Sequence, residues 1–325
     1  MTTSEPRIVF LDAKTYGDVS LEQFTERWRC TIHEVTDPPA VAARLKDHAV
    51  VVTNKVALDY AVLNQSEARD LRLIAVAATG TDIIDRGAAN TLGIRVCNVP
   101  GYATQSVAQF TMTLLLELAT RAGKYGDAVK AGVWQRSPVF SVLDFPTTEL
   151  NEKKLGIIGY GNIGRTVATM GRAFGMEVLI AARLSSESPI SHDRISLEQL
   201  LRQSDVITLH CPLSVQTQNL INEKTLSWMK PTAFLINTAR GALIDERALI
   251  AALRNRRIAG AALDVISREP PPADHPIIEA AKELDNLLVT PHTAWSARES
   301  RERLLSEVAR NISAFFEGRA RNLVE

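Results

Sequence analysis

The chain has 325 residues, 46% of them hydrophobic, and its 37 basic and 37 acidic side chains cancel to a formal net charge of zero. That length exceeds one ordinary core and suits two domains, and the balanced charge, with no Lys/Arg block, excludes the electrostatic footprint of a nucleic-acid binder. No stretch offers about eighteen uninterrupted apolar residues, and the opening MTTSEPRIVFLD lacks a basic region followed by an apolar one, so neither a membrane span nor a secretory leader is expected and a cytoplasmic protein is.

Short apolar runs alternate with helical patterns from end to end, which predicts βα units and parallel sheets: an α/β protein of two doubly wound domains. Strands are expected over Arg7–Leu11, Thr31–Val35, Val50–Thr53, Leu73–Ala78 and Ile94–Cys97. Ser20-Leu21-Glu22-Gln23 has the form of a capping box at a helix start. From Thr104 to about Ala131 the pattern is helical, with Val107, Phe110, Leu114, Leu115 and Leu118 on one face. Trp134 to Pro146 then leads into a second set of strands at Leu155–Ile158, Val178–Ala181, Val206–Leu209, Phe234–Asn237, Ala261–Leu263 and Leu287–Val289. A last helix, capped at Ser296 and running to about Glu317, is expected to return to the first domain. The boundaries expected are thus 1–101 with 296–325 for a flavodoxin-like substrate domain, and 102–295 for an inserted Rossmann dinucleotide-binding domain with the active site in the cleft.

Gly159-Tyr160-Gly161-Asn162-Ile163-Gly164 follows an apolar strand and opens a helix. In that context the first glycine makes the tight turn, the second lets a pyrophosphate approach the backbone, and the third lets helix and strand pack closely. The phosphates would sit on amides near Asn162 and Ile163. The acid that usually holds the adenosine ribose is replaced by Ala182, followed by Arg183 and Ser185. A guanidinium and hydroxyls suit a 2′-phosphate, so NADP(H) is expected, with NAD(H) the alternative if Arg183 faces solvent.

Arg240, Glu269 and His292 stand in INTARGALID, ALDVISREPP and LVTPHTAW, and Arg240 and His292 leave the carboxyl ends of predicted strands, where ligands of open α/β sheets bind. Hydride delivered to a ketone carbon leaves charge on oxygen, which an imidazolium can neutralise. A carboxylate on the other ring nitrogen fixes the tautomer and favours the charged ring. A guanidinium grips a substrate carboxylate through two parallel hydrogen bonds. Those three roles fall to His292, Glu269 and Arg240, although each alone has an ordinary surface reading. Three scattered cysteines and six histidines without HExxH or CxxC spacing give no disulfide framework and no metal site.

VVTNKVAL, AATGTDIID, NVPGYATQSVAQF, LGIIGYGNIG, HCPL, MKPTAFLINTARGALIDERAL, GAALDVISREPP and VTPHTAW occur in the order found in D-isomer-specific 2-hydroxyacid dehydrogenases. Over essentially its full length the chain resembles that family, and most of all its glycerate dehydrogenase and glyoxylate/hydroxypyruvate reductase branch. The resemblance implies a small 2-keto or D-2-hydroxy acid substrate, Arg240, Glu269 and His292 as catalytic residues, and Asp264 near the nicotinamide. Cys211, Pro212, Thr217, Thr238 and Ala239 are expected to line the cofactor groove beside it. Amides at Thr79–Gly80 would bind the substrate carboxylate, and Lys55 would line the substrate mouth, unless it is an exposed loop lysine. A homodimer joined through cofactor domains is implied, with Trp134 able to serve the contact. Some proteins of this fold are instead dinucleotide-sensing corepressors; turnover separates the two classes.

Overall fold

Residues 6–183 and 193–324 are described by the computed structural model, and every pairing between named strands in it is parallel. The chain forms two units, one running to Ala103 and resuming at Ser296, the other Thr104–Trp295.

The first unit holds β1 (Arg7–Phe10), β2 (Arg29–Ile32), β3 (Val50–Thr53), β4 (Leu73–Val76) and β5 (Arg95–Cys97) in the order β2-β1-β3-β4-β5. All residues of β3 and β4 are buried, as continuous apolar runs must be when both faces of a parallel sheet are covered. The helix Arg298–Phe316 brings Leu304, Leu305, Val308 and Ile312 into this core and packs on β4. Because β1 lies between β2 and β3, successive crossovers diverge between β1 and β3, and a crevice is expected beyond their carboxyl ends.

The second unit holds β6 (Lys154–Ile158), β7 (Glu177–Ile180), β8 (Val206–Leu209), β9 (Phe234–Asn237), β10 (Gly260–Leu263) and β11 (Leu287–Val289), in the order β7-β6-β8-β9-β10-β11. Alternate side chains feed two cores: Ile207, Leu209, Leu235 and Leu263 join Leu249 and Leu253 on one face. Val206, Ile236 and Ala262 join Met112, Leu115, Val167 and Ala168 on the other. Here the switch point falls between β6 and β8. The glycine turn after β6 therefore stands where a ligand crevice is expected.

Several local expectations are corrected. The helix predicted to run from Thr104 to about Ala131 is two, Thr104–Thr120 and Ala122–Lys130, broken at Arg121, whose φ is +56°. Tertiary partners outweigh periodicity there: Glu117 accepts the Gly123 amide at 3.1 Å, and Arg121 and Lys124 both donate to the Asp285 carbonyl. Ser20 makes no capping box; Leu21 is the N-cap of a one-turn helix, Glu22–Thr25, and Ser20 only accepts the Glu22 amide. The last helix is capped by Ala297 without a side-chain bond, while the Ser296 carbonyl accepts Arg301 Nε at 2.9 Å. β2 lies two residues earlier than expected, in register with all of β1, and β4 and β7 end short of their predicted limits. Trp134 is 54% exposed, in a stretch with Val139, Phe140 and Leu143 also exposed.

Candidate active site

The turn after β6 shows in its geometry what each glycine does. Gly159 has φ +99°, and a Cβ there would fall on the backbone of His210 and Cys211, so the turn can lie against the end of β8 only without a side chain. A Cβ on Gly164 would meet the Gly159 carbonyl, which is the close helix–strand packing the motif requires. Gly161 differs: nothing lies within 4 Å of where its Cβ would be. Gly161 is also the N-cap of the helix Asn162–Ala173, so that open space faces the first turn's amides. These residues fit a pyrophosphate.

The loops beside the turn are tightly built. Cys211 is 9% exposed and burial pushes its thiol up to about 11, so the thiol is un-ionised at neutral pH. Thr217 Oγ1 donates to the Pro212 carbonyl at 2.8 Å and accepts the Ser214 amide at 2.7 Å, fixing the loop after β8. Thr238, 9% exposed, shares a 3.0 Å hydroxyl contact with Thr111. His210 is pushed down to about 4 by burial, and among the described residues its Nε2 has no hydrogen-bond partner. A ring held neutral in this way supplies no proton near pH 7. Ala182 follows β7 and Arg183 is exposed, whereas Ser185 lies outside the described residues.

Arg240 follows β9 in a loop held by Asn237, which sequence reasoning missed. Its fully buried side-chain amide donates to the Arg240 carbonyl at 2.8 Å and accepts the Ala239 amide at 3.0 Å. Two such bonds, worth about 1 kcal/mol each net, fix the backbone from which the guanidinium projects. Its Nη1 donates to the Ala239 carbonyl at 2.9 Å.

Glu269 and His292 are brought together: Oε2 lies 2.5 Å from Nδ1, and both side chains are partly buried, at 32% and 26% exposure. The other carboxylate oxygen of Glu269 accepts the Ile266 amide at 2.9 Å. With Nδ1 on the carboxylate, Nε2 is the nitrogen left for a substrate. His292 has φ +53°, a conformation costing a non-glycine residue about 1–3 kcal/mol unless its surroundings hold it. Here they do. The His292 amide donates to the Asp264 carbonyl at 2.8 Å, and the buried Asp264 carboxylate accepts Thr290 Oγ1 at 2.6 Å, the Thr293 amide at 2.9 Å and the Ala294 amide at 2.8 Å. Asp264, expected near the nicotinamide, thus also binds the residues on both sides of His292 to β10.

In the first unit, Asp12 follows β1 and accepts the amides of Asn54, Lys55 and Val56 after β3, at 3.0, 2.6 and 3.3 Å. Burial raises the pKa of Asp12 in spite of those three donors. Lys55 is exposed on the loop so formed. Thr79 and Gly80 follow β4; the Thr79 hydroxyl donates to the Val99 carbonyl at 2.8 Å, and the Thr79 carbonyl accepts Asn98 Nδ2 at 2.6 Å. Among the described residues no group of three His, Cys, Asp or Glu side chains could hold a metal ion, and no helix is long and apolar enough to cross a membrane.

A glycine turn open at a helix N-terminus, in one unit with a carboxylate-paired imidazole, is the equipment of a dinucleotide-dependent oxidoreductase. The family model for the D-isomer specific 2-hydroxyacid dehydrogenase NAD binding domain matches residues 112–294. A glycerate dehydrogenase from Methylorubrum extorquens is 38% identical over 320 residues, covering 98% of this chain and 99% of its own. A hydroxypyruvate reductase from Blautia hydrogenotrophica is 36% identical, covering 98% and 99%. The crystal structure of an NADPH-dependent glyoxylate/hydroxypyruvate reductase from Sinorhizobium meliloti superposes with a TM-score of 0.83 at 27% identity, covering 98% of this chain and 97% of the other. The chain belongs to the D-isomer specific 2-hydroxyacid dehydrogenase family and is an NAD(P)-dependent enzyme.

Proposed function

We propose that the chain interconverts a small 2-keto acid and its D-2-hydroxy acid, with glyoxylate and hydroxypyruvate as the keto substrates and NADP(H) as the preferred dinucleotide. The observation that carries this reading is the 2.5 Å pair of Glu269 and His292, which leaves one imidazole nitrogen free to exchange a proton with a substrate oxygen. The nicotinamide supplies or takes the hydride. In reduction His292, protonated, gives its Nε2 proton to the oxygen as charge forms there, and Glu269 stabilises the imidazolium. Arg240 pairs with the substrate carboxylate and polarises the neighbouring carbonyl. Gly159, Gly161, Asn162, Ile163 and Gly164 hold the pyrophosphate, with Cys211, Pro212, Thr217, Thr238, Ala239 and Asp264 along the groove. Lys55 and the Thr79–Gly80 amides, at the carboxyl ends of β3 and β4, are assigned to substrate on the family resemblance.

The pairing makes a directional prediction. Reduction needs imidazolium, so its kcat/KM falls as pH rises, and oxidation follows the opposite course. Glu269→Gln removes the charge that favours the imidazolium and is expected to move the reductive limb to lower pH. A pH profile with an unmoved limb would separate Glu269 from the proton transfer.

The preference for NADP(H) is read from Ala182, which places no carboxylate against a 2′-phosphate, and from Arg183 next to it, whose exposed guanidinium is accessible to that phosphate. A phosphate–guanidinium contact is worth about 1.5–3 kcal/mol, so NADPH is expected to be favoured about ten- to a hundredfold. Arg183→Ala is expected to weaken NADPH alone, because NADH has no phosphate to lose. Measuring kcat/KM for both dinucleotides with glyoxylate, hydroxypyruvate and pyruvate tests substrate and cofactor together. Equal losses for both cofactors in Arg183→Ala would overturn the cofactor assignment, and no turnover of any of the three acids would overturn the reading as a whole.

A further inference from the structure

The Arg240 and Glu269 loops meet at Gly241. A Cβ on Gly241 would fall on the carbonyl of Ile266 and the amide nitrogen of Ser267, so the two backbones meet with no room for a side chain. Behind that contact stands Glu246, the first residue of the helix Glu246–Arg254. Its Oε1 accepts the Ser267 amide at 2.7 Å and its Oε2 accepts the Ser267 hydroxyl at 2.8 Å. His275 closes the group, with Nε2 3.7 Å from Glu246 Oε2 and 3.5 Å from Ser267 Oγ. The side chains of Glu246 and His275 are 13% and 5% exposed.

A glutamate in a first helical turn often serves its own helix end. Here that task is taken: Asp245 caps the helix by accepting the amides of Arg247 and Ala248, both at 3.1 Å. Both oxygens of Glu246 go instead to one residue of another loop, 21 positions away in sequence. Ser267 stands two residues before Glu269, and Glu269 itself accepts the amide of Ile266, the residue on the other side of the clamped peptide. The Glu269 carboxylate is therefore tied to the Val265–Ile266 peptide, which adjoins the Ile266–Ser267 peptide that Gly241 admits on one side and Glu246 holds on the other.

We infer that Glu246 is a positioning residue for proton transfer, holding the Ile266–Ser267 peptide so that Glu269 stays on His292 Nδ1; the inference rests on the reading of Glu269 and His292 given above. The test uses the full chain and compares Glu246→Ala, Glu246→Gln, Ser267→Ala and Glu269→Gln. For each, keto-acid reduction is followed across pH, and dinucleotide affinity is measured by fluorescence. A displacement of about 1 Å at a reacting group costs about a hundredfold, so Glu246→Ala is expected to lower kcat about ten- to a hundredfold with dinucleotide affinity unchanged. Its reductive limb moves to lower pH, in the direction expected of Glu269→Gln. Glu246→Gln keeps a carbonyl acceptor and recovers most of the activity. Added to Glu269→Gln, the Glu246→Ala change moves the limb no further, because the carboxylate it would misplace is already gone.

If Glu269→Gln moves the limb and Glu246→Ala does not, or if the two shifts add, the positioning role is overturned. If Glu269→Gln itself leaves the limb in place, the reading of the pair fails instead. Should Glu246→Ala not fold, Ser267→Ala decides: it removes one of the two bonds at an exposed serine, and a smaller shift in the same direction supports the inference while an unmoved limb overturns it.

Discussion

Replacing His292 with alanine is expected to lower keto-acid reduction by about two to four orders of magnitude, the range of a positioned general acid, while dinucleotide binding is retained. His210, the imidazole beside the glycine turn, cannot take over: it is buried and held neutral, with its pKa pushed down to about 4. Alanine also has to adopt the left-handed backbone found at 292, where φ is +53°. Asparagine visits that region more readily, so His292→Asn keeps the loop and removes only the proton donor. Both variants are expected to lose the pH limb of reduction together with the rate. A variant that reduces substrate near the parent rate, with its limb intact, would show that another group supplies the proton.

A second large effect, on binding, is expected at Gly161. Its φ of −82° lies outside the left-handed region and a Cβ there would meet nothing within 4 Å, so the main expected structural cost of Gly161→Val is a weaker N-cap worth about 1 kcal/mol. The valine side chain does occupy the space proposed for pyrophosphate. Losing one or two charge-assisted phosphate bonds of about 1.5–3 kcal/mol each predicts a fall in dinucleotide affinity of about two orders of magnitude. Gly159→Ala provides the contrast, because its φ is +99° and its Cβ would strike the backbone of His210 and Cys211. That variant is expected to lose thermal stability before binding is considered. Melting temperature and dinucleotide titration on the two proteins separate the cases, and undiminished affinity in Gly161→Val would place the phosphates elsewhere.

What the sequence made legible, and what it hid, follows from the range of the interactions. The parallel sheets were readable because β3, β4, β8 and β9 are mostly apolar and buried along their whole length. The glycine turn was readable because its reasons are local: a tight turn, an open approach and a helix packed on the strand before it. Arg240 and His292 could be picked out as polar residues just past strand ends. The supports of those residues could not. Glu246 and Ser267 meet across 21 positions, and Asp12 gathers the amides of residues more than 40 positions away, so neither leaves a spacing to recognise. β2 was misplaced because it is an edge strand with two exposed ends and no fully buried residue, which weakens its alternation. The break at Arg121 was hidden for a similar reason: its partner carbonyl belongs to Asp285, in a different part of the chain.

The meeting of Gly241 with the Ile266–Ser267 peptide bears on how such an enzyme can be redesigned. Grafting a foreign Arg240 loop, to recruit a different acid, imports whatever residue stands at 241, and any side chain there presses on the segment that carries Glu269. Substrate choice and proton transfer are consequently inherited together: the two segments behave as one transplantable cassette, and library diversity at 241 is confined to glycine unless 266–269 is varied with it.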